Sequence, residues 1–164
     1  MAYVWNIDGH KNMMAKAVEI INQAKNRIYL AVLPTTYPVL KPVLEKAVIK
    51  CVRVILYSSS QLDLPGGRVV ISPMSEDDLK QDEGLGFVLV TDGQEVLIGE
   101  RLSAANAQAA WTRSPLFVLI AEHHLRTDLY LPQILNLLGE RAKKVIHADD
   151  YELFAQAFES RIKH

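Results

Sequence analysis

The six-residue stretch Val52–Tyr57, Val-Arg-Val-Ile-Leu-Tyr, constrains the fold more than any other part of this chain. A run so nearly continuous in apolar residues suits a strand buried on both faces, as inside a sheet covered by helices on each side. What precedes it fits that setting. Tyr3 to Ile7 is short and β-rich, and Asp8-Gly9 turns the chain. From Asn12 to Asn26, Met13, Ala17, Ile20, Ile21 and Ala24 recur at helical spacing. Arg27 to Leu33 alternates, and after Pro34-Thr35-Thr36 the residues Val39, Leu40, Val43, Leu44 and Ala47 mark a second helix with prolines in its first turn. The order β-α-β-α-β implies right-handed crossovers and a largely parallel sheet.

Downstream, the polar stretch Ser58 to Gly67, with Pro65-Gly66-Gly67, reads as a loop before a strand at Arg68 to Ser72, and the acid-rich Ser75 to Gly86 reads as a solvated loop. Phe87 to Thr91 and Glu95 to Gly99 flank Asp92-Gly93, the pair that supplies the positive φ values of a tight hairpin. Arg101 to Gln108 is small and polar, Ala109 to Arg113 is a further strand, and Pro115 opens a long helix. Pro132 is expected to kink or restart that helix and Gly139 to end it. Residues 1–139 thus form one domain. Residues 140–164 read as an extension, with a short strand at Val145 to His147 and a helix capped by Asp149 or Asp150.

Composition narrows the function. The 18 Lys and Arg against 19 Asp and Glu leave a net charge of −1, which argues against autonomous binding of nucleic acid. The single cysteine, Cys51, excludes an internal disulfide and a Cys-rich zinc site, and its apolar neighbours suggest a buried, reduced thiol in the cytoplasm. The amino terminus has no basic region typical of a signal peptide, and no apolar run approaches the ~18 residues of a membrane span.

The most informative stretch is Leu85 to Glu100. Its layout resembles the phosphodiesterase signature of the phospholipase D superfamily, H-x-K-x4-D-x6-G-S/T. In that chemistry a histidine attacks phosphorus and a lysine neutralises the phosphoryl oxygens, so both must leave one face of a strand two residues apart. Asp92 and Gly99 keep the spacing, whereas Leu85 stands at the histidine position, Phe87 at the lysine position and Glu100 at the hydroxyl position. Two apolar side chains can neither attack nor hold a phosphate, and a carboxylate repels it. The stretch is also, more simply, a hairpin with an Asp-Gly turn. As a motif it implies a scaffold without the catalysis.

A second resemblance spans roughly residues 3 to 138. Trp5-Asn-Ile-Asp-Gly9 before an amphipathic helix, Ala24-Lys-Asn-Arg-Ile28 leading into a strand, Asp92 to Gly99, and Ala110-Trp-Thr-Arg-Ser-Pro115 before a terminal helix resemble the C-terminal half of TrmB-type transcriptional regulators. The resemblance implies a prokaryotic, phospholipase-D-like α/β domain with a mixed, mostly parallel sheet flanked by helices, acting as the non-catalytic, effector-sensing part of a homodimeric regulator. It implies a sugar as effector, to which the arginines considered below add an anionic metabolite, no cofactor, and contact with DNA only through a winged helix-turn-helix. No such element precedes Trp5 here, so the chain is expected to be an excised domain or a product lacking the reader.

Several residues compete for roles. Glu100, Arg101 and Arg113 lie after Gly99, where the superfamily's cleft would open, and an arginine pair there could hold an anion by bidentate contacts or form surface salt bridges. Trp111 could stack on a ring ligand or serve as core. Leu85 and Phe87 suit either a symmetric dimer contact or the floor of an apolar pocket. His123 and His124 point about 100° apart on a helix and cannot share a metal, and His147, Asp149 and Asp150 read as capping residues, so no metal site is expected. Two alternatives to effector sensing stay open: a dimerisation or interaction module without ligand, and a residual phosphodiesterase using His10 or His123.

Overall fold

The computed structural model describes residues 3–72, 85–100, 107–138 and 141. The readings of residues 73–84, Arg101 to Asn106, Gly139 and, apart from residue 141, the 140–164 extension lie outside them. In chain order the elements are β1 (Val4–Asp8), α1 (His10–Gln23), β2 (Arg27–Ala31), α2 (Tyr37–Ile49), β3 (Arg53–Ser58), β4 (Arg68–Ile71), β5 (Leu85–Thr91), β6 (Glu95–Glu100), β7 (Gln108–Thr112) and α3 (Pro115–Leu138). The long helix is continuous through position 132 and is not restarted there.

The strands form one sheet in the order β1-β7-β6-β5-β2-β3-β4. It is an α/β fold with a mixed sheet flanked by helices, but the expected parallel character needs correction. Five of the seven strands run the same way, yet only the β2·β3 and β3·β4 ladders are parallel. The two reversed strands, β5 and β7, are inserted among the others, so every ladder on that side is antiparallel. Consequently the β1-α1-β2 connection vaults over three strands, while β2-α2-β3 joins neighbours.

Two apolar layers hold the sheet. On one face Met13, Ala17, Ile20 and Ile21 of α1 and Leu40 and Leu44 of α2 close over Ile28, Leu30, Val54, Leu56, Phe87, Leu89 and Leu97. On the other, Val118, Ala121 and Leu125 of α3 cover Val88, Val90 and Val96. The alternation of β5 divides its side chains between these layers, as a strand buried on both faces must.

Cys51 is exposed, contrary to its apolar surroundings in sequence. It follows the end of α2 with φ +62°, its N–H donates to the Val48 carbonyl at 2.9 Å and the Val52 N–H to the Ala47 carbonyl at 3.0 Å. This is the left-handed residue of a Schellman ending, a place usually given to glycine, and it turns the thiol outward while Val52 enters the core.

Candidate functional site

The β5–β6 hairpin carries the signature-like residues, and its two ends are built differently. At the turn, Asp92 (φ +54°) and Gly93 (φ +67°) both adopt the left-handed conformation, and the Gln94 N–H closes onto the Thr91 carbonyl at 3.0 Å. The Asp92 carboxylate accepts three backbone N–H donors from the α1–β2 connection: Lys25 and Asn26 at 2.8 Å and Arg27 at 2.9 Å. Burial by itself would raise the pKa of this carboxyl, but the three amides and the Arg27 guanidinium outweigh it and hold the group below its ordinary value. Asp92 therefore ties the hairpin to the start of β2. Gly93 leaves room for the neighbouring ion pair, since a Cβ there would lie 2.7 Å from an Arg27 guanidinium nitrogen. That guanidinium donates to Glu122 of α3 at 2.7 Å, and Arg126 donates to the other Glu122 oxygen at 3.2 Å.

At the open end, β5 and β6 pair Phe87 with Gly99 and Leu85 with Glu100, with an irregularity between Leu85 and Phe87. Phe87, at the lysine position, is 2% exposed and belongs to the core beneath α1 and α2. It is thus unavailable as the greasy dimer contact or open pocket floor considered for it. Gly99 faces Met13, whose sulfur would clash with a Cβ placed there. The glycine of the signature is kept here by close packing of α1 on β6.

The residues expected to form one effector site are separated. The β6·β7 ladder is antiparallel and pairs Gly99 with Ala109 and Val96 with Thr112. Arg113 accordingly falls beside Glu95, at the turn end, whereas Glu100 ends β6 at the opposite end; Arg101 lies outside the described residues. Trp111 donates its indole N–H to Glu95 at 3.0 Å, and Arg113 donates Nε–H to the same oxygen at 3.4 Å. The Trp111 ring already has Lys16 Nζ 3.7 Å from its centroid and the Trp5 ring 4.6 Å away. These contacts make it a structural anchor of the β1 edge, outside the groove described next.

Arg113, its side chain 58% exposed, borders a groove of about 850 Å³ at the turn end. Lys25, Asn26, Lys50, Gln94 and Asp92 share its walls. Lys25, Lys50 and Gln94 were not singled out from sequence, because only the strand pairings bring the ends of α1, α2 and the hairpin together. Three cations and several amides, set against the Asp92 and Glu95 carboxylates, suit a polar, hydroxylated or anionic small molecule. Among the described residues no cluster of three or more His, Cys, Asp or Glu side chains is placed to hold a metal ion, and no helix is long and apolar enough to cross a membrane. His10, considered for a residual phosphodiesterase, sits at the start of α1 beside Lys11, and adjacent helix side chains diverge by about 100°; His123, the other candidate, sits on α3.

Comparison with known proteins bears on this geometry. Residues 3–125 match the family model described as transcriptional regulator TrmB, effector-binding domain (EBD), N-terminal subdomain. A comparison with curated proteins gives no match. Among solved structures, NucT from Helicobacter pylori is similar with a TM-score of 0.61 at 12% identity, over 79% of this chain and 96% of that one. TrmBL2, described as an archaeal chromatin protein, gives 0.58 at 20% identity over 75% of this chain, which spans only 50% of TrmBL2. Nuc from Salmonella typhimurium, a phospholipase D family member, gives 0.54 at 15% identity over 78% of this chain and 94% of that one. At these identities the likeness is one of fold, and the fold is phospholipase-D-like.

Proposed function

This chain belongs to the TrmB family of transcriptional regulators, through the N-terminal subdomain of the effector-binding domain, and on that premise we propose that it is a non-catalytic, effector-sensing and dimerising domain. The observation that carries the reading is Phe87. The signature's lysine position holds a phenyl ring sunk in the core, while Asp92 and Gly99 persist in structural roles that need no chemistry. A carboxylate that ties a loop and a glycine that admits a helix explain why the scaffold half of the motif survives without its nucleophile.

The effector is a sugar or an anionic metabolite, and the groove beside Arg113 is the seat the described surface offers. DNA contact belongs to a winged-helix reader rather than to this domain, whose net charge of −1 provides little for phosphate neutralisation. We place the working protein in the cytoplasm of a prokaryote as a homodimer, the effector acting by binding one dimer arrangement better than the other.

A thermal-shift screen of the chain against sugars, sugar phosphates, nucleotides and phospholipid head groups tests this. A ligand at 100 times its dissociation constant stabilises by ~2.7 kcal/mol, a readily measured shift. The expected result is a hit lost in Arg113→Ala while the unliganded melting temperature stays put. One observation favours a second reading, an interaction module without ligand: the place of the catalytic cleft is filled by Phe87 and Met13. A dimer that melts cooperatively and answers to no ligand in the screen would favour that reading.

A further inference from the structure

The outward side of α3 is apolar toward both ends of the helix, with His123, His124 and Thr127 exposed between them. The inner side is spent on the sheet through Val118, Ala121, Leu125 and Leu129, all buried. Yet Leu116 (63%), Ile120 (57%), Tyr130, Ile134, Leu137 (88%) and Leu138 are also exposed to solvent. A helix with one apolar face packed normally turns a polar face to water, and one apolar all round is normally covered on both sides. Besides His123 and His124, the helix carries three charged residues, and none of those three lies on the outer side. Glu122 is buried against Arg27, Arg126 reaches back to Glu122, and Asp128 sits on the flank within 3.4 Å of His124.

The aliphatic residues toward the two ends of the stripe are placed symmetrically about Thr127, while His123 and His124 stand opposite Leu131 and Tyr130. Leu116 and Leu138 lie 11 residues to either side of Thr127, and Ile120 and Ile134 lie 7 to either side. Steps of 7 and 11 residues return to within about 20° of the same helix direction. A two-fold axis at Thr127 therefore lays leucine against leucine and isoleucine against isoleucine from an antiparallel copy, the self-complementarity an isologous interface requires. At the crossing point the side chain is small, and the Thr127 hydroxyl already donates to the His123 carbonyl at 2.9 Å. With Phe117 and Leu119, which are also exposed on its flanks, the exposed apolar side chains of α3 offer on the order of 800 Å² per copy, about what one partner of a standard interface buries.

We infer that two copies of this chain pair through the outer face of α3, antiparallel about Thr127. This deepens the dimerisation half of the proposed function and moves the contact from the signature end of the hairpin to the opposite face of the sheet.

Sedimentation velocity of the full chain tests it together with cysteine cross-linking. The wild type is expected to sediment as a dimer, and Ile120→Glu/Ile134→Glu as a monomer with unchanged circular dichroism. With Cys51→Ser as background, Thr127→Cys should link to itself on mild oxidation. Ile120→Cys should link to Ile134→Cys in a mixture, while neither links to itself. A dimer that persists in the double glutamate variant, or Ile120→Cys linking to itself, overturns the proposed surface and leaves homodimerisation standing. A monomeric wild type whose α3 outer face is protected from hydrogen exchange overturns both, since the cover then comes from within the chain. Neither result bears on ligand binding beside Arg113.

Discussion

The two ends of the β5–β6 hairpin differ in kind although one signature spans them. At the turn end, a charged group is satisfied by the backbone: the Asp92 carboxylate takes three N–H donors, and the adjacent Arg27–Glu122 pair reaches across to α3. At the open end, the place of a charged group has been given to the core, with Phe87 buried and Gly99 pressed by Met13. Asp92 and Gly99, at two of the signature's positions, have structural partners, and Phe87, at its lysine position, is packing. The lesson is that the architecture of such a motif and the chemistry it carries elsewhere reside in different residues with different partners, which is what the proposed loss of catalysis requires.

Restoring the lysine is the harshest way to break this contrast. Phe87→Lys places an ammonium where the phenyl ring is 2% exposed, at a cost of more than about 4 kcal/mol, enough to unfold many domains of this size. Urea denaturation is the check, and a stable Phe87→Lys protein would mean that this end is an open cleft. Next in size is Asp92→Ala, which strands three amides and should cost about 3 kcal/mol by the same method. Its pH dependence sharpens the point. The folded pKa of Asp92 is depressed, so its stabilisation is fully present above the ordinary carboxylate value of 3.8 and is lost as pH falls through the lowered one. Asp92→Asn should accordingly lose less stability than the wild type on acidification. Gly99→Ala, which forces Met13 to move within a filled layer, should cost about 2 kcal/mol. The smallest effect has the opposite sign: Cys51→Gly relieves a left-handed residue with exposed side chain and should stabilise by about 0.5–1 kcal/mol in thermal or urea melts.

Much of this was legible beforehand because it is local. The Asp92-Gly93 turn, the apolar spacing of α1 and α2, and the substitution of Leu85 and Phe87 follow from neighbouring residues alone. The sheet order was not, since the β-α-β-α-β pattern is satisfied equally by strands that adjoin and by strands separated by a later hairpin. Whether β5 and β7 insert beside β2 depends on long-range pairing that leaves no local trace. The same blindness joined Glu100 to Arg113 on paper, although antiparallel β6 and β7 send them to opposite ends. Cys51 misled for a related reason: its neighbours in sequence are apolar, but the helix ending between them reverses the direction of its side chain.

The central claim, that the signature survives here as architecture without catalysis, is tested most directly by hydrolysis of a generic phosphodiester by the purified full chain. The account predicts release no faster than in buffer, with no change on His10→Ala. Steady turnover that disappears in His10→Ala, with the fold intact, would contradict it and return the chain to the phosphodiesterases whose fold it shares.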